Sequence, residues 1–166
     1  MKAWYLIHTK PKQEEIAREQ LERQGYRTYL PLAQVYRRRR GRSVQVIAPM
    51  FPRYLFINLS DETDDWRPIR STIGVANLVR FGINAARVPD DLIQTLKTRE
   101  DESGIQILPG KKFSIGDKVR VAEGIFEGYE AIIHAKTAKE RVVLLLNMIE
   151  KYVKVEMDSQ HLELRT

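Results

Sequence analysis

The hydrophobic positions change period along the chain, and each change marks an element. Ala3 to His8 (AWYLIH) is dense in aromatic and β-branched residues, which predicts a strand. A helical period follows to Arg23: Ile16, Ala17 and Leu21 fall on one face, while Glu14–Arg18 and Glu19–Arg23 form i,i+4 pairs on the other. Thr9 offers a capping hydroxyl, Pro11 a preset first turn and Gly25 a stop. Tyr26 to Tyr36 and Ser43 to Pro49 read as two strands of a hairpin with arginines and Gly41 at its tip. After the Met50-Phe51-Pro52 turn, Tyr54 to Leu59 (YLFINL) is another strand. Trp66 to Ser71 predicts a short helix with Pro68 in its first turn, and Gly74 breaks it. Val75 to Phe81 resumes a strand. Pro89-Asp90-Asp91 opens a helix whose apolar face is Leu92, Ile93 and Leu96.

From Thr98 to Lys112 the period dissolves into charges, Ser, Gly and Pro, which marks a linker. Beyond it, KVRV, AIIHA, VVLLL and YVKVEM are short and strand-like, with Gly116, Gly124 and Gly128 between them, and predict a small β barrel. The same stretch supports a helical reading. Val142, Leu145, Leu146, Ile149 and Val153 recur at helical spacing, and no Gly or Pro interrupts Lys139 to Arg165. Against the helix stand Gly124 and Gly128, at ~1 kcal/mol each in a helix interior. The expected organisation is 1–99, a linker over 100–112, and 113–166.

Composition narrows the function class. The 166 residues are 43% hydrophobic and 30% charged, as in a folded globular chain. No apolar run approaches the ~20 residues of a membrane span, and the start lacks a signal-peptide core, so the cytoplasm is expected. Without cysteine there are no disulfides. The net charge of +6 is concentrated: Arg37, Arg38, Arg39, Arg40 and Arg42 repel one another unless solvated or neutralised, and phosphate is the usual neutraliser. Catalytic signatures are missing. His8, His134 and His161 are scattered, with no HExxH, P-loop or GxSxG motif, so no enzyme activity and no cofactor are expected. Asp61, Glu62, Asp64 and Asp65 read as a solvated loop rather than a metal site.

Four blocks carry a resemblance. WYLIHTKP with LERQGYRTYLP, PMFPRYLF, and STIGVANLVRFG resemble the N-terminal domain of the NusG family, and IGDKVRVAEGIFEGYEA resembles the KOW motif of its C-terminal domain. VRFG at 79–82 and LLLN at 144–147 are similar to the specialised RfaH-like branch. The resemblance implies an α/β (α+β) N-terminal domain, its central antiparallel sheet flanked by helices. It implies a KOW domain that is a five-stranded β barrel or, when autoinhibited, a helical hairpin. It also implies a monomeric elongation and antitermination factor that suppresses pausing. Phe51, Pro52, Tyr54, Phe56, Ile93 and Leu96 would receive the RNA polymerase clamp. Lys10, Gln13, Arg23, Gln24, Arg70 and Thr72 would meet the non-template DNA strand, with Arg37 to Arg40 on the backbone. Ile16, Gln20 and Ile73 depart from the branch's pattern on that surface, as Asp65-Trp66-Arg67 does in a second polymerase contact. Arg141, Leu145, Leu146 and Ile149 would face the pocket between domains. Arg141 matches the arginine of an interdomain lock, but Ala48 stands where the lock's acid should be. The implied partners of the C-terminal domain are a ribosomal protein or a termination factor. The alternative is a KOW-containing ribosomal or RNA-binding protein.

Overall fold

A computed structural model describes residues 2–108 and 125–164; for 125–126 and 157–164 only the backbone is considered. Strand β1 (Lys2–Thr9) runs through the middle of the main sheet, antiparallel to β5 (Tyr54–Ser60) from Lys2↔Ser60 to His8↔Tyr54. Strand β2 (Arg27–Tyr29) pairs outside β5, while β6 (Val75–Leu78) and the short β9 (Arg87–Val88) pair with β1 on its other side. Strand alternation divides the side chains of this sheet between two cores. Ile7, Leu55, Ile57 and Leu59 pack with Ala17 and Leu21 of helix α1 (Glu14–Arg23). Trp4, Leu6 and Phe56 face the opposite side, where Leu92, Ile93 and Leu96 of helix α3 (Asp90–Thr98) join them. Between them in the chain lie helix α2 (Arg67–Arg70) and a two-residue hairpin, β7 (Arg80–Phe81) and β8 (Asn84–Ala85).

A second sheet carries the arginines. Strands β3 (Leu32–Arg39) and β4 (Arg42–Pro49) pair from Leu32↔Pro49 to Arg39↔Arg42 around a tight turn at Arg40 and Gly41. Both turn residues have positive φ, 53° and 74°, as a two-residue hairpin turn requires. Strand β10 (Ile105–Ile107) lies parallel to β3, so the segment read as featureless linker contains a strand.

Several local expectations are corrected. Thr9 does not cap α1; it ends β1 with its hydroxyl buried and without a partner among the described residues, and the helix begins five residues later without a side-chain cap. Ile16 is 43% exposed, because Glu14, Ala17 and Leu21 make up the buried face. Arg18 pairs with Glu15 at 2.9 Å and Glu22 at 3.1 Å instead of Glu14, whose carboxylate is turned inward. The strand expected over Val75 to Phe81 splits at Val79 between two sheets. Gly74 has φ of 91°, and a Cβ there would sit 2.8 Å from the Ala17 nitrogen, so α1 lies against that loop only because the position is glycine.

The largest correction is C-terminal. AIIHA begins inside helix α4 (Ile125–Ile133), while VVLLL and YVKVEM lie wholly within α5 (Ala138–Leu164); none forms a strand here. Most of the KOW-like block, including KVRV, lies outside the described residues. Thr137 accepts the Glu140 backbone N–H at 3.1 Å, and the Glu140 carboxylate accepts the Lys136 N–H at 2.9 Å, which caps the start of α5. Gly128 permits close helix contact: a Cβ would meet the Met148 terminal methyl at 2.1 Å. The same glycine that argues against a helix by propensity leaves room for the Met148 side chain of α5. Among the described residues no helix is long and apolar enough to cross a membrane.

Candidate functional site

The Met50–Tyr54 turn builds the centre of the pocket. Arg53 holds the left-handed φ of 73°, and the Tyr54 N–H donates to the Phe51 carbonyl at 3.0 Å. Three bonds fix this turn to the end of β1 and the start of α1. The Arg53 N–H donates to the buried Glu14 carboxylate at 3.2 Å, Arg53 Nε donates to the Thr9 carbonyl at 3.2 Å, and the Thr9 N–H donates to the Arg53 carbonyl at 2.8 Å. Phe51 and Phe56 then meet edge to face, with centroids 6.2 Å apart. Tyr29 stacks on Phe56, and His8 stacks on Tyr54 at 4.9 Å. Burial, and after it the Arg53 cation, lowers the His8 pKa.

This aromatic wall is covered. Phe51, Phe56, Ile93 and Leu96 share one buried cluster with Tyr129 and Ile132 of α4 and Leu145, Ile149 and Val153 of α5. Tyr54 and Leu146 are half-buried and pack against it, and Pro52 is half-buried in the turn beside Phe51. Polar groups border the seam. Arg99 lies 3.8 Å from Glu130, and Arg87 lies 3.4 Å from Glu156, whose other oxygen accepts the Tyr152 hydroxyl at 2.8 Å. The Tyr129 hydroxyl donates to Gln106 Oε1 at 3.0 Å, and the Gln106 amide donates to the Leu96 carbonyl. Sequence reasoning misses Tyr129, Ile132, Arg87 and Glu156. The Thr137-x-x-Glu140 pattern is the signal that could find Glu156, since it marks the start of α5 and so sets the helical phase of the residues beyond it.

Arg141 is the anomaly of the seam. It is 4% exposed, its Nε donates to the Met50 carbonyl at 3.0 Å, and burial lowers its pKa. No carboxylate among the described residues pairs with it. Ala48, where the resemblance calls for an acid, is itself buried.

The residues expected to meet DNA fall into two groups. In the first, Gln24 Nε2 at the end of α1 donates to the Thr72 hydroxyl at 2.8 Å, and that hydroxyl donates to the Pro68 carbonyl at 2.9 Å. The Lys10 N–H donates to the Gly74 carbonyl at 2.8 Å, and the Gln13 N–H to the Lys10 carbonyl at 3.1 Å. Lys10, Gln13, Gln24 and Thr72 are thus tied into one surface, with Arg23 held by Glu19 at 2.9 Å and Ile73 65% exposed. Arg70 is exposed and lines a separate cleft of about 850 Å³ with His8, Tyr54, Trp66, Arg67 and Arg80. The second group, Arg37 to Arg40, stands on the other sheet, exposed.

The remaining candidates have structural roles. Trp66 donates to the Ser60 carbonyl at 3.0 Å and packs edge-on against Tyr5 at 4.8 Å. Asp64 accepts the Ser60 N–H at 2.7 Å, and Asp65 pairs with Arg67 at 3.0 Å. Among the described residues no group of side chains has the makeup of a metal site.

Known proteins resemble this chain along most of its length. The NusG protein of Thermus thermophilus, described as a transcription termination/antitermination protein, is 26% identical over 93% of this chain and 94% of its own length. Its namesake in Deinococcus radiodurans is 24% identical over 93% and 95% respectively. A solved structure described as "Domain interaction in Thermotoga maritima NusG" is 21% identical, covers 70% of each chain and has a TM-score of 0.44. The family model described as "Transcription termination factor nusG" matches residues 2–97, more than half of the chain. The chain therefore belongs to the NusG family.

Proposed function

We propose that this protein is a cytoplasmic elongation and antitermination factor of the RfaH-like kind, held closed by its own C-terminal helices. The N-terminal unit, residues 1–99, binds the polymerase clamp through Phe51, Pro52, Tyr54, Phe56, Ile93 and Leu96. The Lys10, Gln13, Arg23, Gln24, Arg70 and Thr72 surface contacts the non-template strand, and Arg37 to Arg40 contact DNA backbone. Residues 113–166 follow the linker, cover the pocket through Arg141, Leu145, Leu146 and Ile149, and refold as a barrel once displaced. The barrel recruits a ribosomal protein, with a termination factor as the alternative partner.

One observation carries this reading: four of the six side chains proposed to grip polymerase, Phe51, Phe56, Ile93 and Leu96, lie in one buried cluster with side chains of α4 and α5. A partner must displace those helices to reach them. Each aliphatic side chain in the seam contributes ~1.5–3 kcal/mol, enough to hold a small unit closed and small enough for a partner to replace. The unpaired Arg141 weakens the closed state, since burying a charge without a counter-charge is unfavourable. The test is capture of RNA polymerase by full-length protein and by Leu145→Asp, which puts a carboxylate in the seam. Capture should rise in the variant while far-UV circular dichroism loses helix. Unchanged capture by a variant whose helices have opened would remove the pocket from the polymerase interface.

A further inference from the structure

We propose that the β3–β4 hairpin inserts into the major groove of double-stranded DNA, with arginines on both faces meeting the two phosphate walls. This rests on the DNA-binding part of the proposed function and goes beyond backbone contact by naming the duplex and the groove.

The pairing register sets the geometry. Because Arg37 lies opposite Val44 and Arg39 opposite Arg42, strand alternation puts Arg37, Arg39 and Arg42 on one face. Arg38, opposite Ser43, falls on the other face with Tyr36 and Gln45, and Arg40 stands at the apex. Every residue from Tyr36 to Gln45 is exposed. None of the five guanidiniums forms an ion pair within the described residues. The hairpin end is thus a two-stranded ribbon, positive on both faces and free of acid.

Three partner geometries compete. A hairpin lying flat on a duplex would use one face and leave either Arg38 or the Arg37–Arg39 pair in water. A single strand would call for a row of stacking aromatics, and the projecting end has only Tyr36. A groove meets both faces at once. The B-form major groove, ~12 Å wide and ~8.5 Å deep, admits a two-stranded ribbon. From Tyr36 to Arg39 the strand extends ~10 Å, enough to reach the groove floor. An A-form RNA duplex has a major groove too deep and narrow for such entry.

The experiment uses the full chain without polymerase and fluorescence anisotropy on labelled probes of equal length: a DNA duplex, an RNA duplex and single-stranded DNA. The DNA duplex should bind at least tenfold tighter than the other two. If four phosphates are engaged, its affinity should fall about 150-fold between 50 and 200 mM salt. Arg38→Ala and the pair Arg37→Ala with Arg39→Ala should each flatten the salt slope, by about one unit for every phosphate no longer engaged, while lysine at the same positions preserves it. Methyl green, a major-groove dye, should compete, and the minor-groove ligand distamycin should not. Equal binding to RNA duplex or single strand, competition by distamycin, or an unchanged slope in Arg38→Ala would overturn the inference. Polymerase capture by the same variants reads the pocket separately. Normal capture beside a failed duplex assay defeats the groove and leaves the proposed pocket standing.

Discussion

Truncating a buried core residue ordinarily weakens a protein's function, but Ile149→Ala should strengthen it here. Ile149 is fully buried where α5 meets the Phe51 and Phe56 wall, so truncation removes aliphatic packing and leaves a cavity. Such a change costs ~2–4 kcal/mol. The loss falls on the closed arrangement, because in the open protein Ile149 no longer rests on the pocket. At 1.4 kcal/mol per tenfold, a loss of ~3 kcal/mol raises the open fraction on the order of a hundredfold until opening is complete. Apparent polymerase affinity scales with that fraction, so binding should tighten by up to the same factor. Leu21→Ala supplies the control. Leu21 is equally buried, but between α1 and the opposite face of the main sheet, so its cavity weakens the N-terminal unit and should bring no gain. Titrating both variants against immobilised polymerase, beside hydrogen exchange of α4 and α5, separates the cases. Faster exchange in α5 without tighter binding would refute the idea that these helices block the pocket.

Ala48→Glu, which restores the acid that the resemblance pairs with Arg141, should act in the opposite sense, stabilising closure by ~0.5–3 kcal/mol and weakening polymerase capture, as read by pull-down. Glu14→Ala removes the carboxylate that accepts the Arg53 N–H and should cost ~1–3 kcal/mol in chemical denaturation, loosening the turn under Phe51 and Tyr54. Acid should weaken the fold through His8. Its pKa is lowered in the folded state, so its contribution is intact above the unfolded value of ~6.5 and is lost as pH falls below it. Solvent screens this half-buried ring, so between pH 7.5 and 5.5 Tm should drop slightly more in wild type than in His8→Asn.

The N-terminal half is legible because its signals are local. Alternation in YLFINL, the period of Leu92, Ile93 and Leu96, and Gly41 at the hairpin tip each specify an element within a few residues. The errors there come from long-range partners. Glu14 reads as a solvent-facing ion-pair residue until Arg53, 39 positions on, claims its carboxylate. Ile105–Ile107 reads as linker until β3 supplies its hydrogen bonds. The C-terminal region is ambiguous for a different reason. Val142 to Val153 fits a helical face and Val153 to Met157 a strand, so local pattern cannot choose between them. The structure has helix over both stretches, with Leu145, Ile149 and Val153 in the cluster that holds Phe51 and Phe56. Of the candidate pocket, Phe51, Tyr54, Phe56, Ile93 and Leu96 lie in or against one cluster, whereas Ile132 is hidden inside the strand reading of AIIHA and Tyr129 inside the KOW-like block.

Under the proposed opening, Gln106 has a consequence for the shape of the pocket that the helices would leave. Its amide binds the Leu96 carbonyl near the end of α3, and its own strand is zipped to β3. The tie therefore belongs to the side that would stay behind, and among the described residues the proposed departure of α4 would take from Gln106 the Tyr129 hydroxyl alone. The wall that carries Ile93 and Leu96 is braced from behind, so an incoming partner meets a rigid mould rather than a surface it must first organise. A fragment ending at residue 99 discards that brace, and one ending at 108 keeps it. The shorter fragment should bind polymerase more weakly although it retains every residue of the pocket.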